Sequence, residues 1–149
     1  MGKTTFRAMT VADADAAAEL DLKCFGERDA FDRNYFLWVA EDELAIYIVG
    51  ERDGKIVACA GAEIFSDTAE IESVAVDPDC RRQGLGNLIL TRLISAIKAR
   101  GVTFVILEVR PSNTAAIKLY ENFGFRIVER EKNFYGDEDA LIMARNFDL

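Results

Sequence analysis

Glu108 closes a mostly β-branched apolar run, Val102 to Val109, and Tyr120 follows it twelve residues later. A carboxylate at the end of a buried strand has its pKa raised by burial and becomes a usable base near neutral pH. A surface acid ending a strand is the alternative that position leaves open. Tyr120 falls two turns into a helix opening at Asn113, on the face shared with Ala116 and Phe123, where a core tyrosine is the commoner explanation on position alone. The second feature is Arg81-Arg82-Gln83-Gly84-Leu85-Gly86, followed by Asn87. Its glycines let the backbone approach a ligand, and successive N–H groups at a helix start form an anion cradle that would suit a pyrophosphate. It lacks the third glycine of the dinucleotide fingerprint and the Gly-Lys-Ser/Thr ending of a P-loop. From Arg81 to Leu107 there are five basic residues and no acid, whereas Glu63 to Asp79 holds six acids and no base. Solvated faces produce such runs too; the glycine turn is what favours an anion site here.

These residues need strands and helices to bring them together. Phe6 to Met9 reads as a short strand, and Thr10 to Asp13 as a capping-box-like start to a helix running to about Cys24. A second helix fits Asp32 to Val39, with Phe31, Tyr35, Phe36 and Val39 on one apolar face. From Ala45 the period becomes that of strands. Asp53-Gly54 marks a hairpin, Ile56 to Phe65 returns, and Glu70 to Val76 makes a third antiparallel strand stopped by Asp77-Pro78. Leu85, Leu88, Ile89, Leu93, Ile94 and Ile97 predict an amphipathic helix ending near Gly101. Val102 to Val109 predicts a central buried strand, Asn113 to Gly124 a helix, and Phe125 to Glu131 and Ala140 to Phe147 two closing strands around an Asn133–Gly136 loop. The order predicts one α/β (α+β) domain over residues 1–149 with a mixed, mostly antiparallel sheet.

Composition narrows the chemistry. A chain of 149 residues, 50% apolar, buries a core without disulfides or metal. With 18 Lys and Arg against 26 Asp and Glu, the net charge of −8 argues against nucleic acid or an anionic membrane as partner. No histidine is present, which removes Ser-His-Asp and Cys-His machinery and most zinc sites and leaves Asp, Glu, Tyr, Lys or Cys for acid–base work. Cys24, Cys59 and Cys80 are odd in number with no CxxC spacing, which fits a reducing compartment. No apolar run approaches a membrane span and the start has no signal-peptide core, so a cytoplasmic protein is expected.

Taken together, Ile71-Glu-Ser-Val-Ala-Val-Asp-Pro78, the Arg-Arg-Gln-Gly-Leu-Gly turn, Leu107-Glu-Val-Arg110, Ser112-Asn-x-x-Ala-Ile-x-Leu-Tyr120 and Phe123-Gly-Phe125 strongly resemble the GNAT superfamily of acetyl-CoA-dependent N-acetyltransferases. Within it, the chain is most similar to the ribosomal-protein-alanine N-acetyltransferase branch. The match runs from about 70 to 136 and ends on Asn133-Phe134-Tyr135, where the branch has Asn-Tyr-Tyr; earlier residues match only in their order of elements. The resemblance implies that Val74, Ala75 and Val76 offer backbone groups to the pantetheine arm and the thioester. It implies that Arg81, Arg82, Gln83, Gly84, Leu85, Gly86 and Asn87 cradle the pyrophosphate through main-chain amides, and that Asn113 contacts the cofactor arm beside its helix-capping role. Glu108 corresponds to the general base and Tyr120 to the general acid of a direct transfer, with acetyl-CoA as co-substrate and no metal. A covalent acetyl-cysteine route lacks an activating base. Cys80 stands where the branch often has an aromatic residue and reads as a packing position.

The implied acceptor is a protein or peptide N-terminus, an alanine or similar small residue, carried by a basic ribosomal protein. Asp13 to Glu43 holds ten acids against three bases, and Glu70 and Glu72 share a strand face, which suits a cationic peptide and serves solubility equally. Phe31, Tyr35 and Tyr135 are the candidate wall for that peptide. The same fold also serves acetyltransferases for lysine side chains or small amines, and a CoA-binding module without catalysis; retention of both Glu108 and Tyr120 speaks against the last.

Overall fold

A computed structural model describes residues 2–147; Met1 and Asp148–Leu149, the ends of the expected domain, lie outside the described residues. The chain runs β1 (Thr5–Ala8), α1 (Ala14–Asp29), α2 (Arg33–Glu41), β2 (Ala45–Arg52), β3 (Lys55–Phe65), β4 (Thr68–Val76), α3 (Leu85–Ala99), β5 (Phe104–Val109), α4 (Thr114–Asn122), β6 (Arg126–Glu131) and β7 (Ala140–Asn146). The strands form one seven-stranded sheet in the order β1-β2-β3-β4-β5-β7-β6, every neighbouring pair antiparallel except β4 and β5. No helix among the described residues is long and apolar enough to cross a membrane.

Each sheet face is covered by a helical layer whose apolar stripe matches it. On one face α3 buries Ile89, Leu90, Leu93 and Ile97 against Ala58, Ala60, Ala62, Val105 and Leu107, and Tyr120 of α4 joins this cluster. At about 1.5–3 kcal/mol per fully buried aliphatic side chain, α3 anchors this layer. On the other face Ala14, Ala17 and Leu20 of α1 and Phe36 and Val39 of α2 pack on Tyr47, Val49, Cys59 and Ala75. Small residues along β3 let both helical layers sit close to the sheet.

The first helix breaks just past Cys24, as expected, where Gly26 leaves helical geometry at φ +79°, and a second helical stretch runs on to Asp29, carrying Phe31 toward the sheet. Two expectations need correction. The strand expected from Val102 begins at Phe104, because Thr103 is engaged by the Asp67 and Phe147 backbones. Nor is it buried on both faces: Val105, Leu107 and Val109 are buried while Phe104, Ile106 and Glu108 are half-exposed, since α1 and α2 cover β2 to β4 more fully than β5.

The feature that matters for function is where β4 and β5 part. Their ladder covers only Thr68–Phe104, Ala69–Val105 and Glu70–Ile106, after which β4 continues to Val76 and β5 to Val109 without pairing. The cause lies on the other edge of β4. Gly61 pairs with Ser73 but Ala62 pairs with Ile71, so Glu72 is an extra residue, a bulge that bends β4 away from β5.

Candidate active site

A cleft of about 410 Å³ opens between the parted strands, lined by Glu70 to Val74 of β4, Glu108 to Arg110 at the end of β5, Asn113, Ala116 and Tyr120 from α4 and its start, Asp21, Phe25, Asp29 and Phe31 from the α1 side, and Phe134 and Tyr135. The parting strands explain this membership. Glu70 belongs to the last ladder pair, and Glu72 and Glu108 each stand two residues beyond it on facing strands. Glu70 lies within hydrogen-bonding reach of both. Burial, with the Glu70 hydrogen bond and charge added, pushes the Glu108 carboxyl up to about 7. Burial and the charges of Glu70 and Glu63 push Glu72 up to about 8. In both cases a hydrogen bond with Glu70 adds to burial in favouring the protonated form.

Tyr120 is 7% exposed, touches the cleft, and packs edge-on against Phe125 at 6.0 Å between ring centroids. Burial, with a smaller contribution from Tyr135, holds its phenol above its ordinary value, so it keeps its proton. Asn113 caps α4 by accepting from the Ala116 N–H at 3.2 Å and also reaches the cleft. Burial is the main reason, and Glu108 a lesser one, that Tyr135 is pushed up to about 12.

The expected donor side has two open backbone features. Asp77 N–H donates to the Val57 carbonyl, so by the alternation of an antiparallel ladder Val74 and Val76 direct their amides away from β3, toward the edge β5 has left. The Val76 carbonyl there accepts from Arg81 Nε and the Cys24 thiol, each at 3.3 Å. At the start of α3, Gly84 takes φ +76° and provides no side-chain cap. Leu88 is the first residue whose N–H closes on this helix, onto Gly84, so the amides of Leu85, Gly86 and Asn87 point out of its end.

Not every candidate reaches the cleft. Val74 lines it; Ala75 is in the α1-side core, and the Arg81 to Asn87 turn lies beyond its lining residues, exposed except for Leu85 and Gly86. The five-base run does not act as one patch: Arg92 covers Phe6, Lys98 covers Phe147, and Arg100 bonds the Glu43 carbonyl, leaving Arg81 and Arg82 at the turn. Phe31 lines the cleft, but Tyr35 does not. Tyr35 stacks behind Phe31 at 3.8 Å and bonds the Tyr47 hydroxyl at 2.6 Å.

Two residues of the site were not singled out from sequence. Asp21, 1% exposed, accepts from Phe31 N–H at 2.8 Å and Ser73 Oγ at 3.1 Å, tying α1 to the bulged strand. Its signal was an acid on the apolar face of α1, four residues after Ala17. Arg110 gathers carboxylates from segments remote in sequence, for which the sequence carries no local sign.

A family model described as the acetyltransferase (GNAT) family matches residues 14–125. The chain belongs to this family. Among relatives of this GNAT chain, the [ribosomal protein bS18]-alanine N-acetyltransferase of Escherichia coli K12 is 46% identical over 97 residues, 62% of this chain and 66% of that one. The chain thus matches just under two thirds of that relative's length. A Bacillus subtilis protein named provisionally for the same reaction is 34% identical over 95% of this chain and 94% of its own. The crystal structure of the Escherichia coli ribosomal-protein-S18-alanine N-acetyltransferase superposes with a TM-score of 0.88 at 34% identity, covering 97% of this chain and 94% of that one. The mixed, mostly antiparallel sheet of this GNAT chain is thus the fold of that enzyme.

Proposed function

We propose that this GNAT chain is an acetyltransferase that moves the acetyl group of acetyl-CoA directly onto the α-amine of a protein N-terminus, an alanine or similar small residue on a basic ribosomal protein. The observation that carries the reading is the opening between β4 and β5, with Glu108 and Tyr120 both among the residues that line it. The relatives named for acetylation of bS18 alanine supply the acceptor class.

The residues present fit acetyl-CoA on two counts: an unpaired β4 edge at Val74 and Val76 for an extended amide-bearing arm, and the open amides of Leu85, Gly86 and Asn87 with Arg81 and Arg82 for a pyrophosphate. Leu85 contributes its main chain alone, its side chain being core. When bound, acetyl-CoA supplies an acyl thioester. The chain's own groups do the rest. An α-ammonium, with a reference pKa near ~8, must lose a proton before it can attack; the Glu108 carboxylate, poised near neutrality, accepts it. The Val74 or Val76 amide orients the thioester carbonyl, and Tyr120, still protonated, gives its proton to the departing sulfur. None of the cysteines lines the cleft, and burial raises the thiols of Cys24 and Cys59, which favours direct transfer over an acetyl-cysteine.

The test is incubation with acetyl-CoA and three acceptors: a peptide with a free N-terminal alanine, the same peptide blocked at its N-terminus but carrying lysine, and a small amine. Acetylation of the first alone is expected. CoA release with none of them overturns the enzyme reading, and modification confined to lysine overturns the N-terminal one.

A further inference from the structure

The connection between β6 and β7, residues 132–139, places Phe134 and Tyr135 in the wall of the cleft. The bonds that tie it to the rest of the molecule converge on one side chain from the end of β5. Arg110 forks onto Asp29 at the end of α1, Nε to Oδ2 at 2.8 Å and Nη2 to Oδ1 at 3.1 Å. Its Nη1 reaches across to the loop, to Asp137 at 2.8 Å and Glu138 at 3.2 Å, and its guanidinium lies 4.2 Å from the centre of the Tyr135 ring. Glu138 is held from the other side by Ser112, through N–H at 2.8 Å and hydroxyl at 2.9 Å. Arg28 adds a bond to the Tyr135 carbonyl at 2.8 Å.

The arrangement has a direction. Asp29 fixes the guanidinium plane bidentately, which leaves its remaining edge for the loop carboxylates and its face for the aromatic ring. With its side chain only one-fifth exposed, Arg110 is less screened than a surface ion pair. Three segments distant in sequence therefore meet at the acceptor end of the cleft around Arg110, with Arg28 pairing with Asp137 at 3.4 Å from the α1 side.

We infer that Arg110 is a positioning residue for the acceptor, the clasp that holds the 132–139 loop and its Tyr135 ring across the end of the cleft where the peptide enters. The inference rests on the proposed reading of the cleft. It concerns the acceptor half, because the hydrogen bonds of Arg110 among the described residues run to Asp29, Asp137 and Glu138.

Two variants separate the roles. R110M removes the clasp, and E138Q with D137N weakens it on the loop side, together with the Arg28 pair to Asp137, while leaving the pair with Asp29 in place. R28M, which loses only the Arg28 bonds, serves as the control for that second cation. In R110M and in the double variant, amide hydrogen exchange over 132–139 should accelerate while α3 stays protected. The KM for the alanine peptide should rise about tenfold, the equivalent of ~1.4 kcal/mol, with kcat and the acetyl-CoA KM within about twofold, and R110K should fall between. Unchanged exchange in the loop overturns the inference, as does a loss confined to kcat or to acetyl-CoA. Should the wild-type chain acetylate no amine, the proposed function falls, and loop exchange alone decides whether Arg110 is the clasp.

Discussion

Glu108 owes its usefulness to its neighbours. An isolated carboxyl at the end of β5 would titrate near 4; burial and the hydrogen bond with Glu70 bring it to about 7. Only the ionised form accepts a proton, so kcat with saturating alanine peptide should climb as pH rises through about 7 and level off above it. E108Q should lose this limb and at least about a hundredfold in kcat, in the range general-base removal gives, while acetyl-CoA affinity holds. E70Q tests the cause. Removing the like charge, and offering an amide N–H that can donate to ionised Glu108, should move the acid limb toward lower pH with the plateau retained; a pH–rate profile from 5 to 9 reads both. A limb that stays near 7 in E70Q would leave burial as the whole explanation. Glu108 and Tyr120 were visible in the sequence by type and spacing, whereas the coupling to Glu70 and Glu72 was not, because it depends on which ladder pair is the last.

At the scale of elements, that last pair is set by the bulge opposite Gly61 and Ala62. A side chain at Gly61 would collide with the ring of Tyr47, which is 5% exposed and tied through its hydroxyl to Tyr35. Tyr35 and Phe36 pack edge-on against the Tyr47 ring, so it cannot step aside cheaply. G61A should therefore cost at least the ~1–3 kcal/mol typical of overpacking, read as a lower midpoint in urea unfolding. G61A/Y47F should recover little, since the clash is with the ring and not the hydroxyl. The strands on either side, the Asp53-Gly54 hairpin and α3 were all legible, because alternation, turn residues and a 3.6-residue stripe are local signals. The bulge was not, since Ile71-Glu-Ser-Val-Ala reads as plain alternation and only pairing with β3 reveals the extra residue. The end of the first helix near Cys24 was legible, whereas the second helical stretch beyond Gly26, which brings Phe31 to Asp21 and the cleft, was not.

Over the whole molecule, the net charge of −8 is not spread evenly around the cleft. The acceptor side presents Asp21, Asp29, Glu70, Glu72 and Glu108, with Arg110 already engaged by carboxylates, while Arg81 and Arg82 stand at the turn expected to meet the donor. Of the ten acids between Asp13 and Glu43, only Asp21 and Asp29 line the cleft. The acidic first segment was thus a poor map of the charge around the cleft: Asp13 pairs with Arg7 at 2.7 Å to fix the start of α1, and Asp15 pairs with Arg33. Near neutrality burial keeps part of this charge masked, with Glu72 pushed up to about 8 and Glu108 to about 7, and what remains is a field that favours a cation beside the reacting amine. Peptides with an N-terminal alanine followed by Lys or Arg should show kcat/KM about tenfold or more above the same peptides carrying Glu at those positions. Because the effect is electrostatic, the gap should narrow as the screening length falls from ~10 Å at 0.1 M salt to ~3 Å at 1 M. An acidic peptide used as well as a basic one at low salt would show that the carboxylates around the cleft serve proton transfer alone and play no part in choosing the acceptor.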